Sequence, residues 1–236
     1  PLLLNGVRQC GKTYVLKEFG RREFDSLAYV SCDRNVNLQA IYSGDFDVAR
    51  IIQGLSALTG VDIIPGKTLI FLDEVQAFPQ ALEALKYFCE DAPEYHIAVA
   101  GSLLGVALHA GVSFPVGKVQ TLRLFPMDFE EFLMAMGEEQ LLKLMHSHDY
   151  ELMNAFHEKL KDLLRQYYYV GGMPEVVKAF VENKLLNQVR SLQNEILSNY
   201  ASDFSKHAPS LHHYLMDHPD ISAIRYSMLP YRQQAN

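Results

Sequence analysis

Apolar residues recur along this chain in two rhythms, and the change between them comes once. In the first half, short apolar runs alternate with stretches in which apolar residues return every three or four positions. The runs Pro1–Asn5, Leu27–Ser31, Thr68–Asp73, His96–Ala100 and Val119–Leu124 read as strands. The third has four apolar residues in a row, which suits a strand buried on both faces. Between these runs, Val15, Leu16 and Phe19 mark a helix over Lys12–Phe19. Asp45 is placed to cap a helix reaching Leu58, with Val48, Ile51, Ile52 and Leu55 on one face. Another helix opens near Pro79, since proline suits a helix's first turn. Strands and helices in alternation predict an α/β fold, a parallel sheet with helices on both faces.

At Phe125-Pro126-Met127 the strand pattern ends. From Asp128 onward the helical period predominates, and it predicts helices over Phe129–Met136, Glu138–Ser147, Tyr150–Tyr168, Pro174–Val181 and Leu185–Phe204. Gly137 and Gly171-Gly172-Met173-Pro174 punctuate them. The expected organisation is an α/β core over 1–126, an α-helical lid domain over 127–205 and the start of a further C-terminal region over 206–236.

Composition narrows this picture. The 236 residues are 49% apolar, enough for a sizeable core in one large or two small domains. A net charge of −7 argues against wholesale electrostatic binding to nucleic acid, while leaving room for a local basic face. Cys10, Cys32 and Cys89 form no C-x-x-C pair and no even framework, which points to a reducing, cytoplasmic setting. Cys10 reads as a small residue that fits its loop, with an oxidisable thiol as the sharper alternative. The chain begins within a strand, so a preceding segment is expected. The stretch Ile97–Val116 lacks Asp, Glu, Lys and Arg and contains Gly101-x-x-x-Gly105. Glycine and proline breakers and His109 nevertheless favour a strand, turn, short helix and loop over a membrane span.

The chemistry sits at two strand ends. Gly6-Val7-Arg8-Gln9-Cys10-Gly11-Lys12-Thr13 follows the first strand, opens a helix and spells G-x-x-x-x-G-K-T, the phosphate-binding P-loop. Gly6 and Gly11 let successive backbone N–H groups turn toward an anion, and the helix adds its positive end. Gly6, Val7, Arg8, Gln9, Cys10, Gly11, Lys12, Thr13 and Tyr14 are therefore the candidate nucleotide-binding residues. Lys12 would reach the β- and γ-phosphates and Thr13 would ligate Mg²⁺. Gly66-Lys67-Thr68 also spells GKT, but Val61 replaces the first glycine and a strand follows, so it reads as a turn feeding that strand. The third strand ends in Asp73-Glu74, at the sheet edge where ligands of open α/β folds bind. Asp73 is the second candidate metal ligand, and Glu74 the candidate for orienting the attacking water.

Four stretches carry a resemblance to a known group. They are Gly6–Thr13; Leu72-Asp73-Glu74-Val75-Gln76 with Pro79 close behind; Ala100-Gly101-Ser102-Leu103-Leu104 with Ser113–Val119 and Leu124–Phe132; and Gly171-Gly172-Met173-Pro174-Glu175 with Asp203–His207. Together they resemble the prokaryotic AAA-type ATPases usually paired with a DUF4143-like C-terminal region, related to archaeal ATPases and STAND proteins. The resemblance spans about Leu3 to His207. It implies an ATPase that binds ATP or ADP with Mg²⁺. It also implies a polar γ-phosphate sensor at Ser102, where a helix-capping serine is the plainer reading. Pro174 would be brought against the adenine from the lid, where helix initiation is the plainer reading. Many relatives carry an arginine finger where this chain has Lys118, which lacks the forked geometry; Arg8 and Arg123 are the other candidates. The winged-helix and nuclease-like segments of relatives would begin near Lys206, and no complete nuclease signature precedes Asn236.

His146-x-His148 and His212-His213 lack accompanying ligands and read as solvated helix positions. Tyr167-Tyr168-Tyr169 reads as packing ahead of a stacking platform. Adjacent Glu130 and Glu131 do not share a helix face. The sequence thus predicts a Mg²⁺-dependent ATPase, slow unless a partner or a neighbouring copy in a homo-oligomer completes the site. Two alternatives stand beside it: a nucleotide-gated switch signalling through the C-terminal region to DNA or protein, and a helicase fragment. No membrane association is expected.

Overall fold

The computed structural model describes residues 1–44, 46–102 and 117–217, with 202–217 as backbone only. Two compact units divide the chain, 1–185 and 186–236. In the first, β1 (Leu2–Gly6), β2 (Ser26–Ser31), β3 (Thr68–Asp73), β4 (His96–Gly101) and β5 (Gln120–Leu124) form one sheet in the order β2-β3-β4-β1-β5. Every pairing is parallel. Helix α1 (Lys12–Glu23) follows β1, α2 (Asn37–Ile41) and α3 (Val48–Thr59) follow β2, and α4 (Gln80–Asp91) follows β3.

Alternate residues of each strand supply the two faces. Leu3, Val30, Ile70, Leu72, Ile97 and Val99 pack with Ile51 and Leu55 of α3 and Leu82, Leu85 and Phe88 of α4. Leu4, Leu69, Phe71, Ala98 and Ala100 close on Leu16 of α1. All six residues of β3 are buried, as its unbroken apolar run requires. This is the α/β fold with helices on both faces that the alternation predicts.

Several boundaries moved for identifiable reasons. Helix α1 passes Phe19 and runs to Glu23 through Gly20, where a Cβ would lie 2.8 Å from Leu27 Cδ1; glycine here permits close helix–sheet contact. Helix α2 went unforeseen, being only five residues long. Asp45 lies outside the described residues, and the cap observed on α3 is Asp47, whose side chain accepts from the Ala49 N–H. Gly66 turns with φ 71° and the Lys67 and Thr68 N–H groups donate to Ile64 O, so the second GKT is a turn feeding β3. The short helix and loop expected within 103–116 lie outside the described residues, as does everything from residue 218.

After β5 the first unit is helical: α5 (Phe129–Ala135), α6 (Glu139–Ser147), α7 (Tyr150–Ala155), α8 (His157–Val170) and α9 (Pro174–Asn183). Asp128 and Glu131 form a capping box on α5, which occupies one of the paired glutamates. Leu133, Leu141 and Leu163 make a small core, and Tyr167 packs its ring against Phe129 and Phe132. The helix expected over Tyr150–Tyr168 breaks at Phe156, whose N–H turns back to Met153 and Asn154 carbonyls. The described part of the second unit is one helix, α10 (Leu186–Asp217). It runs past the expected end at Phe204, with Pro209 inside it.

Candidate nucleotide-binding site

The sheet order sets the site. Placing β1 between β4 and β5, with β3 beyond β4, brings the carboxyl ends of β1, β3 and β4 to one edge. The P-loop leaves β1 there, Asp73-Glu74 leaves β3, and Ser102 leaves β4.

In the loop, Gly6 has no room for a side chain: a Cβ would sit 2.4 Å from Leu124 O and 2.9 Å from Cys10 Sγ. Gln9 and Gly11 adopt left-handed backbone, with φ 64° and 96°, and this curls the loop around the start of α1. Cys10 is buried and directs its thiol to Leu124 O at 3.8 Å, the packing role expected of it. Val7, Arg8 and Gln9 are exposed on the loop's outer side, and Tyr14 is exposed on the first turn of α1. Lys12 is buried, and its ammonium donates to the carbonyls of Gly6 (3.0 Å) and Val7 (2.8 Å). The cation is thereby held at the loop's mouth by acceptors that a phosphate would replace.

Sixty positions along the chain, Asp73 meets Thr13. The Thr13 hydroxyl donates to Asp73 Oδ2 at 2.7 Å, the Glu74 N–H donates to Oδ1 at 3.0 Å, and the Tyr29 hydroxyl donates to Oδ2 at 3.3 Å. A hydroxyl and a carboxylate beside a phosphate loop are hard oxygen donors of the kind Mg²⁺ takes, with phosphate and water completing its shell. The residues present therefore fit that ion. Among the described residues no group of three or more His, Cys, Asp or Glu is placed to hold a metal; His146 instead pairs with Glu130 at 3.1 Å.

Glu74 stands in left-handed backbone (φ 52°, ψ 43°), an uncommon conformation for a residue with a Cβ. Its carboxylate accepts from Gln76 Nε2, which also lies 3.4 Å from Ser102 Oγ. Ser102 is buried directly after β4. Two nearby groups feel this acidic edge. Burial, then the Asp73 and Glu74 charges, push the Cys32 thiol up to about 12. The same causes raise the Tyr29 hydroxyl, whose ring carries Lys17 Nζ at 3.6 Å from its centre.

The helical part reaches the loop through Pro174, the first residue of α9: a Cβ on Gly11 would lie 3.8 Å from Pro174 Cγ. The structure thus brings together Gly6 to Thr13, Asp73, Glu74, Ser102 and Pro174. It places Lys118 in an ion pair with Glu90 (3.3 Å) and sets the Arg123 guanidinium over Phe125. Tyr29 and Lys17 escaped the sequence reading, and Gln76 stood there within a motif but without a role. Nothing marks Tyr29 in a strand, and only the register β2–β3, which sets Tyr29 beside Phe71 and Ser31 beside Asp73, reveals it.

This arrangement defines a P-loop nucleotide-binding protein of the parallel α/β kind with a helical lid. The family profile described as "AAA domain" matches residues 1–133, more than half of the 236. The chain belongs to this AAA-domain family of P-loop ATPases. A second profile, a domain of unknown function (DUF8612), matches residues 161–218. No curated protein matches. Among solved structures, the Aeropyrum pernix Orc1 protein in complex with DNA is similar at 21% identity and a TM-score of 0.35, over 58% of this chain and 43% of that one. The chain therefore spans less than half the length of that protein's chain.

Proposed function

We propose that this protein binds ATP with Mg²⁺ and hydrolyses it. The observation carrying this is the 2.7 Å hydrogen bond from Thr13 to Asp73, which joins the P-loop to the acidic strand end. Backbone N–H groups of Val7 to Thr13 and the Lys12 ammonium would hold the phosphates and stabilise charge on the transferring group. Mg²⁺ held by Thr13 and Asp73 would neutralise charge on the same phosphates. Glu74 would orient the attacking water, Ser102 would contact it or the γ-phosphate, and Pro174 would sense the nucleotide from the lid.

Hydrolysis is slow unless a partner or a second copy completes the site. Supporting this, Lys118, at the position of the relatives' finger, is paired with Glu90 at 3.3 Å. The same pair favours a second reading, a switch that holds ATP or ADP and signals through the C-terminal region to DNA or protein. Kinship with the DUF4143-containing and STAND-like groups remains part of this proposal, as does a division into core over 1–126 and lid over 127–205. So does a cytoplasmic setting, supported by three free cysteines. No helix among the described residues is long and apolar enough to cross a membrane.

The test is ATP turnover with and without Mg²⁺ by wild type and Glu74→Gln, with bound nucleotide assayed in both. Turnover by wild type, and binding without hydrolysis by the variant, is the expected result. Nucleotide retained by both with turnover in neither would transfer support to the switch.

A further inference from the structure

We infer that Gln76 is a positioning residue for hydrolysis: its side-chain amide fixes the Glu74 carboxylate and ties it to Ser102. The inference rests on the reading of Glu74 as the water-orienting group. It starts from the backbone. Strand β3 ends at Asp73, Glu74 turns left-handed, and the 3₁₀ turn Val75–Ala77 is anchored by fully buried Val75. The Glu74 N–H is held by Asp73 Oδ1 at 3.0 Å, so the turn is pinned on both sides of Glu74.

That turn folds Gln76 back onto the residue two before it. Gln76 Nε2 donates to Glu74 Oε2 and lies 3.4 Å from Ser102 Oγ, so its two hydrogens meet two acceptors from adjacent strands. The carboxylate decides the amide's orientation, because it accepts from nitrogen and repels oxygen. Among the described residues, Gln76 Oε1 is consequently left buried with no hydrogen-bond partner. A buried, unpaired carbonyl oxygen costs stability, and an apolar side chain of similar size would remove that cost. The amide's contribution is therefore orientation: it restrains the Glu74 carboxylate. A catalytic carboxylate depends on such restraint, since activity falls steeply when it leaves hydrogen-bond reach of the water. Ser102, in touch with the same amide, passes a change at its own hydroxyl to Glu74. Tyr29 and Cys32 lie in electrostatic reach of Glu74, and both stay protonated near neutral pH.

Three measurements decide the matter. Gln76→Leu is expected to melt at or above the wild-type temperature, to lower kcat roughly 10-fold or more, and to leave KM and ATP affinity within about 2-fold. Gln76→Glu, which sets a repelling carboxylate in place of the donating amide against Glu74, is expected to lose kcat at least as far as Gln76→Leu. Wild-type kcat in Gln76→Leu, or an equal loss of kcat and affinity, overturns the inference. The third measurement needs no turnover: in nucleotide-free protein, the NMR resonances of the Gln76 side-chain amide should shift and exchange faster in Glu74→Ala, and respond less to Ser102→Ala. Resonances indifferent to Glu74→Ala also overturn it. A wild type that binds ATP without hydrolysing it refutes the ATPase reading alone, and the NMR result still decides whether the amide holds Glu74.

Discussion

Gly172→Ala tests how the two ends of the helical part, the entry at Met127 and the turn before α9, are held together. A Cβ at residue 172 would lie 2.0 Å from Met127 O and 3.0 Å from Met127 N. Relief needs backbone movement of about 1 Å, since real Cβ contacts essentially never fall below 3.0 Å. That movement breaks the Met127 N–H bond to Gly172 O, 2.7 Å in the native chain. It also strains the Tyr167 hydroxyl bond to Met127 O, 3.0 Å long. One buried hydrogen bond is worth about 1 kcal/mol and overpacking costs about 1–3 kcal/mol, so a loss of about 3 kcal/mol is expected. At about 2–4 °C per kcal/mol for a chain of this size, Tm should fall by about 6–12 °C. Gly137→Ala is the control: Gly137 has φ 77°, and among the described residues nothing would lie within 4 Å of its Cβ, so it should lose only about 1 kcal/mol, from backbone conformation. Thermal melts of wild type and both variants make the comparison. If Gly172→Ala melts with wild type, or no lower than Gly137→Ala, the close approach of Gly172 and Met127 does not hold the helical part together.

Other outcomes follow from the site. Asp73→Ala strips the Thr13 and Tyr29 hydroxyls and the Glu74 N–H of their acceptor, costing about 2–4 kcal/mol. ATP should then raise its melting temperature equally with and without Mg²⁺, whereas wild type should respond more with the ion. Tyr29→Phe removes only the 3.3 Å bond, so stability should change by less than about 1 kcal/mol, while the Mg²⁺ concentration for half-maximal turnover should rise. Cys32 has its folded pKa raised from 9.0 to about 12, so its contribution is fully present below pH 9 and lost as pH rises through 12. Wild type should lose stability faster than Cys32→Ala across that window, by up to about 1.4 kcal/mol per pH unit, while both share the loss that the raised Tyr29 and Tyr42 hydroxyls add above pH 10. Urea melts between pH 8 and 11 provide the measurement.

The P-loop was legible because its demands are local. A strand, two glycines, a lysine and a threonine within one loop are fixed by the anion they would surround, and no distant residue alters that need. Strand β3 was legible for the same reason, since a run buried on both faces must be apolar throughout. Helix ends were less legible wherever packing overrode local preference: the helix expected to end at Phe19 runs on through Gly20, a contact point for Leu27. Asp47 holds α3 where Asp45 also fits the capping pattern.

The apolar rhythm, the loop and the acidic strand end by themselves determined the α/β class and the candidate phosphate and metal ligands. Only the tertiary structure decided that β1 stands between β4 and β5, that Tyr29 reaches Asp73 across the β2–β3 register, that Gln76 bridges Glu74 and Ser102, and that Pro174 comes to the P-loop. The physical reason is range. Phosphate cradling and strand burial act between near neighbours in the chain, whereas a hydrogen bond between side chains from different strands depends on strand order and register, which the packing of the whole sheet sets.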